Sequence, residues 1–410
     1  MTRIWPAVFT VVVATSILVV VAGLSRELPP HARQPLTTLV QDDYELAVFY
    51  NRTDFVRRGE LPYVGETIAY PLLGVVYVML PRLFGTDFAD YRTGLVLQNV
   101  IVTVLLMLVT ARLLRQLGRP RHWLWLLALP GFLYFALYRY DVFPALLVVV
   151  AFLCLFSRRY GPAFITLGIA VLAKGYPIVL FPIMFAYCGQ EKGQYPNPLF
   201  NRYVFMTLAP SAVVLAAMSW AAGIEKALFP YLFQTSRQID HGTIYLWYAE
   251  WFRQHLTRPT WNLLNMVFLK MLALLQVVLP LSIYLGHRYF SRLIRYPRDV
   301  VVWSVLTLLL FIQFFPYHSP QWFIWILPLL VLVIETRAQL AVVISYGLVT
   351  YLQFPVAFNY FGYDSLVHGG IVMLRTTLHL SLFVLLAREF ISGQRRDRGM
   401  LSAYHQESPR

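Results

Sequence analysis

Cysteine is nearly absent: Cys154 and Cys188 are the two in 410 residues, and both fall within predicted apolar spans. A disulfide framework, a CxxC redox motif and a thiol-based metal site are therefore excluded. Charge is scarce as well. Only 13% of residues are charged against 58% hydrophobic, where soluble domains carry roughly a quarter charged. There is no HExxH, no Walker A loop and no repeat at a period of about 20–50 residues, which leaves out the commonest metalloprotease, nucleotide-hydrolase and solenoid signatures. No low-complexity linker divides the chain, so one domain is expected.

What is present is hydrocarbon. The mean hydropathy of +0.59 exceeds what a soluble core requires. Runs at 8–21, 95–114, 263–285, 300–315 and 371–386 approach or reach the length that crosses a bilayer as helix. In all, about ten to twelve such segments are expected, making an all-α polytopic membrane protein. The first has Arg3 before it and lacks a small-residue cleavage site, so it reads as a retained helix. The domain layout is a membrane domain over 1–388 and a cytoplasmic tail over 389–410. A first extracytoplasmic region covers 25–92 and a second outer loop 223–260.

The formal charge of +14 raises the question of nucleic acid. The Lys and Arg are spread through short loops between apolar spans, however, which fits positive-inside topology; the bilayer is the expected partner and nucleic acid is not. Arg288, Arg292, Arg295 and Arg298 place the 286–298 loop inside, as Arg395, Arg396 and Arg398 do the tail. Alternation then puts 223–259, 316–321 and 354–367 outside. Arg112, Arg115, Arg119, Arg121, Arg158 and Arg159 also fall inside if 71–84 does not cross. Fourteen residues of helix reach only about 21 Å, so this stretch reads as half-inserted. By the same alternation 161–187 enters and returns, breaking near Lys174-Gly175-Tyr176-Pro177. If 71–84 does span, two Arg-rich loops lie outside instead.

The preferred topology gathers Asp42, Asp43, Arg139, Asp141, Lys174, Arg237, His241 and His318 on the outer face. Ionisable residues at membrane depth usually face a cavity or a partner, so this set is a candidate site. Each also has a plainer reading. Asp42 and Asp43 suit a helix N-terminus. The segment 43–58 is modestly amphipathic, with Tyr44, Val48 and Phe55 near one side and Glu45, Arg52 and Arg58 elsewhere, and is expected to lie in the interface. Arg139 and Asp141 can form a local ion pair. Lys174 can snorkel to headgroups, although the Gly-Tyr-Pro that follows argues for a shaped cavity. His318 can belong to an aromatic belt, and Arg237 and His241 can be ordinary loop residues.

The order of these features resembles the GT-C superfamily of polytopic glycosyltransferases, and within it glycosyltransferase family 87 and related mannosyltransferase-like proteins. The residues that carry the resemblance are Asp43 followed by Val48-Phe49-Tyr50, then Gly59, Pro62-Tyr63 and Tyr70-Pro71. Further along it rests on Ala173-Lys174-Gly175-Tyr176-Pro177, on Ser236-Arg237-Gln238-Ile239, and on Ser319-Pro320-Gln321-Trp322 continuing to Pro328. The chain departs from the family's usual pattern at Ala69-Tyr70-Pro71-Leu72 and at Arg139-Tyr140-Asp141.

The resemblance implies an inverting enzyme of the cell membrane that works on the extracytoplasmic side. It would move a sugar, mannose favoured, from a polyprenyl-phosphate donor to a glycan or glycolipid acceptor. Asp43 is the expected base, since it matches the family position, with Asp42 second. A base must take the acceptor hydroxyl's proton, and cations must meet the leaving phosphate. Lys174 is the first expected phosphate ligand, followed by Arg237, Arg139 and His318. Tyr63, Tyr70, His241 and Gln321 are expected to contact substrate. No cofactor is expected. Asp42 with Asp43 could contribute oxygen ligands to a divalent ion, but a phosphate-linked lipid donor carries less charge than a nucleotide diphosphate, and metal independence is expected. Two other classes stay open: a transporter or flippase of lipid-linked substrates, which would show paired helix breaks in corresponding halves, and a non-catalytic scaffold.

Overall fold

A computed structural model of the chain describes residues 36–64, 68–83, 85, 87–192, 201–235 and 237–407, with backbone alone for 36, 234–235 and 393–407. The first predicted span, the start of the first outer region and Ser236 lie outside the described residues. Every element within them is a helix. Among the described residues the first α-helices are two short ones, α1 (Asp43–Arg52) and α2 (Leu72–Met79), before the long α3 (Phe88–Gln116). Then come α4 (Pro130–Tyr138), α5 (Val142–Phe156), α6 (Tyr160–Ala173), α7 (Phe181–Glu191), α8 (Arg202–Ala222), α9 (Ile224–Thr235), α10 (Tyr245–His255) and α11 (Arg258–Leu285). The last third holds α12 (His287–Phe290), α13 (Pro297–Gln313), α14 (Phe323–Leu330), α15 (Arg337–Tyr351), α16 (Phe358–Phe361) and α17 (Leu366–Glu407).

Among the described residues five helical stretches are long and apolar enough to cross a bilayer: Phe88–Gln116, Arg202–Ala222, Arg258–Leu285, Arg337–Phe361 and Leu366–Ser392. A sixth is reached if α4 and α5, bent by 107° at Arg139, count as one span. This is an integral membrane architecture with fewer full-length spans among the described residues than the sequence suggested. The reason is local. Several apolar runs are cut into shorter pieces, such as the 14-residue α6, which reaches only about 21 Å at 1.5 Å per residue. The expected cytoplasmic tail is not set off by a break either, since α17 is continuous from Leu366 to Glu407.

The breaks fold the chain back, so polar groups collect at two ends. At one end Glu335 accepts from Arg119 at 3.1 Å and Arg298 at 2.7 Å. There too Arg158, before α6, pairs with Glu191, at the end of α7, at 3.2 Å. That pair shows the path of the chain: α6 runs away from this end, breaks at Lys174-Gly175, and α7 returns. Close crossings hold the legs together. A side chain at Gly131 on α4 would strike the Gly347 carbonyl of α15, and one at Gly168 on α6 would strike that of Thr207 on α8. Small residues let backbones approach in this way where lipid offers no hydrophobic drive for association.

The opposite end is built on α1. Asp42 caps it, its carboxylate accepting from the Glu45 N–H at 3.2 Å. The face turned to the protein is Leu46 and Phe49, and Tyr44 is 79% exposed. This corrects the expected apolar side of Tyr44, Val48 and Phe55. Helical periodicity does not carry through to Phe55, because α1 stops at Arg52 and a 3-10 turn over Asp54–Val56 redirects the chain. Arg82 fastens that turn. Its Nε donates to Thr53 Oγ1 at 3.1 Å, and its guanidinium lies 3.5 Å above the Tyr50 ring.

Candidate functional site

At the α1 end the chain encloses a cavity of about 470 Å³. Its wall draws on α1, the Tyr70-Pro71 entry to α2, the α4–α5 corner, the α6–α7 break, the loop after α9 and the stretch from Phe311 to Trp325. Of the residues proposed from the sequence, Tyr70, Arg139, Lys174, Arg237 and Gln321 line it. The carboxylate that lines it is Glu45.

Asp42 and Asp43 part company. Asp42 is buried and lies 2.6 Å from the Arg139 guanidinium, which also reaches Glu45 at 3.3 Å. Asp43, first choice as base, is 52% exposed and outside the cavity wall. Gln41 donates to its carboxylate at 2.7 Å, and Arg92 pairs with it at 3.4 Å. The difference follows from helix geometry. Residues one or two apart on a helix face different directions, so three acids at 42, 43 and 45 cannot all meet one cavity. The N-cap role of Asp42 and the burial of Leu46 and Phe49 fix which one does. The signal for Glu45 was its place in the first turn, and the matched Asp43 drew attention from it.

Arg139 and Asp141 do not form the local ion pair. The corner between α4 and α5 points them to different partners. Asp141, fully buried, accepts from Lys174 Nζ at 2.6 Å and from Trp325 Nε1–H at 2.7 Å. Lys174 caps α6 with extended backbone, and its ammonium stands 4.7 Å from the Tyr140 ring centre and 5.3 Å from that of Trp325. Tyr176 lies flat on Trp325, with centroids 4.2 Å apart and planes within 4°, and Trp322 continues the stack at 4.8 Å. This aromatic wall is the second feature the sequence did not single out. Its residues stand on either side of two helix breaks, 176 and 322–325, and only the fold brings them face to face.

Arg237 completes the wall. Its guanidinium lies 4.2 Å over Tyr317 and 5.1 Å from the Phe233 ring centre. Its Nε is buried without a hydrogen-bond partner, and no carboxylate among the described residues forms an ion pair with it. Burial pushes the Tyr317 hydroxyl up to about 12. The Tyr70 hydroxyl is raised as well, chiefly by burial and next by Glu45, so both phenols stay protonated.

His318, His241 and Tyr63 lie outside the cavity wall. His318 is buried and accepts at Nδ1 from Arg375 at 2.9 Å. Burial first and Arg375 second hold its pKa well below the ordinary value, so it is a neutral group and not a phosphate-binding cation. His241 pairs with Asp364 at 3.0 Å and packs on Tyr363. Tyr63 is buried, takes a left-handed φ of 69°, and its hydroxyl donates to the Tyr70 carbonyl, so it holds a wall residue in place. Among the described residues no group of three or more His, Cys, Asp or Glu stands together as a metal site.

The electrostatics of the cavity are divided. Arg139 against Asp42 and Glu45 leaves one negative charge in excess, Lys174 and Asp141 cancel, and Arg237 leaves one positive charge. One side can accept a proton and another can meet an anion. No family model matches the chain, and no curated protein is detectably similar to it.

Proposed function

We propose that the chain is a membrane glycosyltransferase, using a polyprenyl-phosphate sugar as donor and a glycan or glycolipid hydroxyl as acceptor, with mannose favoured. The observation that carries this reading is the cavity itself. It sits where helices break at one end of a membrane bundle and sets a carboxylate, Glu45, apart from a guanidinium, Arg237, that forms no ion pair among the described residues. An inverting transfer needs both.

The acceptor oxygen attacks the anomeric carbon on the face opposite the phosphate. Its proton passes to the Glu45 carboxylate as the bond between that carbon and the phosphate oxygen breaks. The electron pair leaves with polyprenyl phosphate, whose growing charge meets Arg237; Lys174, neutralised by Asp141, can add a hydrogen bond from its exposed side. Arg139 is not spare for the phosphate, since it is already held between Asp42 and Glu45; it orients the base. The flat surfaces of Trp322, Trp325 and Tyr176 suit the apolar face of a sugar ring or the first isoprene units.

The test is release of polyprenyl phosphate from polyprenyl-phosphate mannose in lipid nanodiscs with a panel of glycan acceptors. Wild type should turn over, folded Glu45→Gln should lose at least about 100-fold, and Asp43→Asn should stay near wild type. Full activity in Glu45→Gln rules out this base. Donor flipping without release, once the protein is reconstituted in sealed vesicles, turns the reading to a transporter.

A further inference from the structure

Arg375 is 3% exposed, sits inside the membrane-crossing stretch Leu366–Ser392 of α17, and forms no ion pair among the described residues. A guanidinium at that depth is costly, and an apolar side chain would cross the bilayer without the cost. What the charge meets instead is three acceptors from three other parts of the chain. Its Nη1 donates to Gln353 Oε1 at 2.6 Å and to His318 Nδ1 at 2.9 Å, and its Nη2 donates to the Gly242 carbonyl at 2.7 Å. Gln353 lies in the break between α15 and α16, Gly242 in the loop before α10, and His318 in the stretch between α13 and α14.

Two of those three segments supply cavity wall. The loop before α10 carries Arg237, and the stretch after α13 carries Tyr317, Ser319 and Gln321. The two are also bonded to each other: the Asp240 N–H donates to the Pro316 carbonyl at 3.2 Å, and the His318 N–H to the Asp240 carboxylate at 3.3 Å. The Arg237 guanidinium rests 4.2 Å over Tyr317. From Arg375 a path of contacts therefore runs to His318, through the adjoining Tyr317, to the guanidinium that lines the cavity. We propose that Arg375 is a positioning residue, which locks the 240–243 loop onto the 316–319 stretch and so fixes the place of Arg237. Its effect on substrate rests on the transfer reading above; the clamp itself does not. Acceptors on three separate segments call for a fork with donors on two atoms, and lysine, with its donors on one, cannot span them.

The experiment compares the full chain in nanodiscs as wild type, Arg375→Lys and Arg375→Gln. In hydrogen–deuterium exchange, amides of 240–243 and 316–319 should exchange about tenfold faster in Arg375→Lys, the scale of one lost hydrogen bond to a charged group, while amides around Arg298 and Glu335 at the opposite end keep wild-type protection. Arg375→Gln should loosen the same two segments further, and Arg375→Lys serves alone if the glutamine variant does not fold. Phenylglyoxal, which modifies guanidinium groups, should label Arg237 severalfold faster in Arg375→Lys. Unchanged exchange in both segments, faster exchange along the whole chain in Arg375→Lys, or unchanged labelling of Arg237 overturns the proposal. With polyprenyl-phosphate mannose, the donor KM of Arg375→Lys should rise about tenfold and kcat should stay within about twofold of wild type. Adding Arg237→Gln should raise that KM no further, because the same contact is already lost. Effects of the two substitutions that multiply, or a loss confined to kcat, overturn it as well. If wild type releases no polyprenyl phosphate, the transfer reading fails, and exchange and labelling still decide the clamp.

Discussion

Arg139 and Asp141 stand two residues apart and do not pair. Arg139 reaches back to Asp42 at 2.6 Å while Asp141 takes Lys174 at 2.6 Å. The corner between α4 and α5 thus ties the start of α1 to one side of the cavity and the α6–α7 break to the other.

The Asp42 link is the first to test. Asp42→Asn keeps a side-chain oxygen for the α1 cap but removes the charge that shares Arg139 with Glu45. Arg139 would then bind Glu45 alone and more tightly, making it a weaker base. The expected result is a fall in kcat of about tenfold with little change in KM, and a rise in the pH at which the rate reaches its plateau is not expected. A loss confined to KM would remove Asp42 from the support of the base.

Lys174 and Asp141 make an asymmetric pair. Asp141 is fully buried, whereas the Lys174 side chain keeps 18% exposure toward the cavity. Lys174→Met leaves a buried carboxylate with only the Trp325 N–H, and should cost about 3 kcal/mol. Asp141→Asn leaves the charge on the more exposed partner and should cost less. Chemical denaturation in detergent would give the order; equal losses, or the reverse, would mean that Lys174 finds no relief at the cavity.

Of the three cations that line the cavity, Arg237 is the one that no carboxylate among the described residues holds in an ion pair. Arg237→Gln should therefore be nearly silent in thermal stability and raise the donor KM about tenfold or more, the scale of a lost charge-assisted contact. Arg237→Lys should recover part of it, keeping the charge but losing the flat face that packs on Tyr317. A KM unchanged in Arg237→Gln would move the phosphate elsewhere.

Much of this was legible in the chain. The apolar runs gave the membrane class, and Gly175 and Pro177 gave the α6–α7 break, where Lys174 does line a cavity. Positive-inside counting gathers eight residues on one face, of which Arg139, Lys174 and Arg237 line the cavity while Asp43, His241 and His318 do not. What was not legible depends on direction and partner. Whether Asp42, Asp43 or Glu45 faces inward is set by a cap and by Leu46 and Phe49 packing beneath. That His318 is held below its ordinary pKa depends first on its burial and then on Arg375, inside an apolar helix whose pattern gives no hint of what it touches. Among the described residues the helix count fell short because length along the sequence does not reveal where a run bends, as at the 107° turn between α4 and α5.

His318 yields the pH prediction. Its pKa in the fold is held well below the ordinary 6.5 by burial and by Arg375. In the unfolded chain it should titrate near 6.5. The unfolded state therefore binds a proton that the folded state refuses, and stability present above about pH 6.5 is lost progressively as pH falls below it. His318→Gln keeps an acceptor for Arg375 and has nothing to titrate. Thermal melts at pH 8 and pH 5.5 should show a smaller downward shift for the variant than for wild type. An equal shift in both would mean that His318 gains a proton within the folded state, which would return it to the set of cations available to a phosphate.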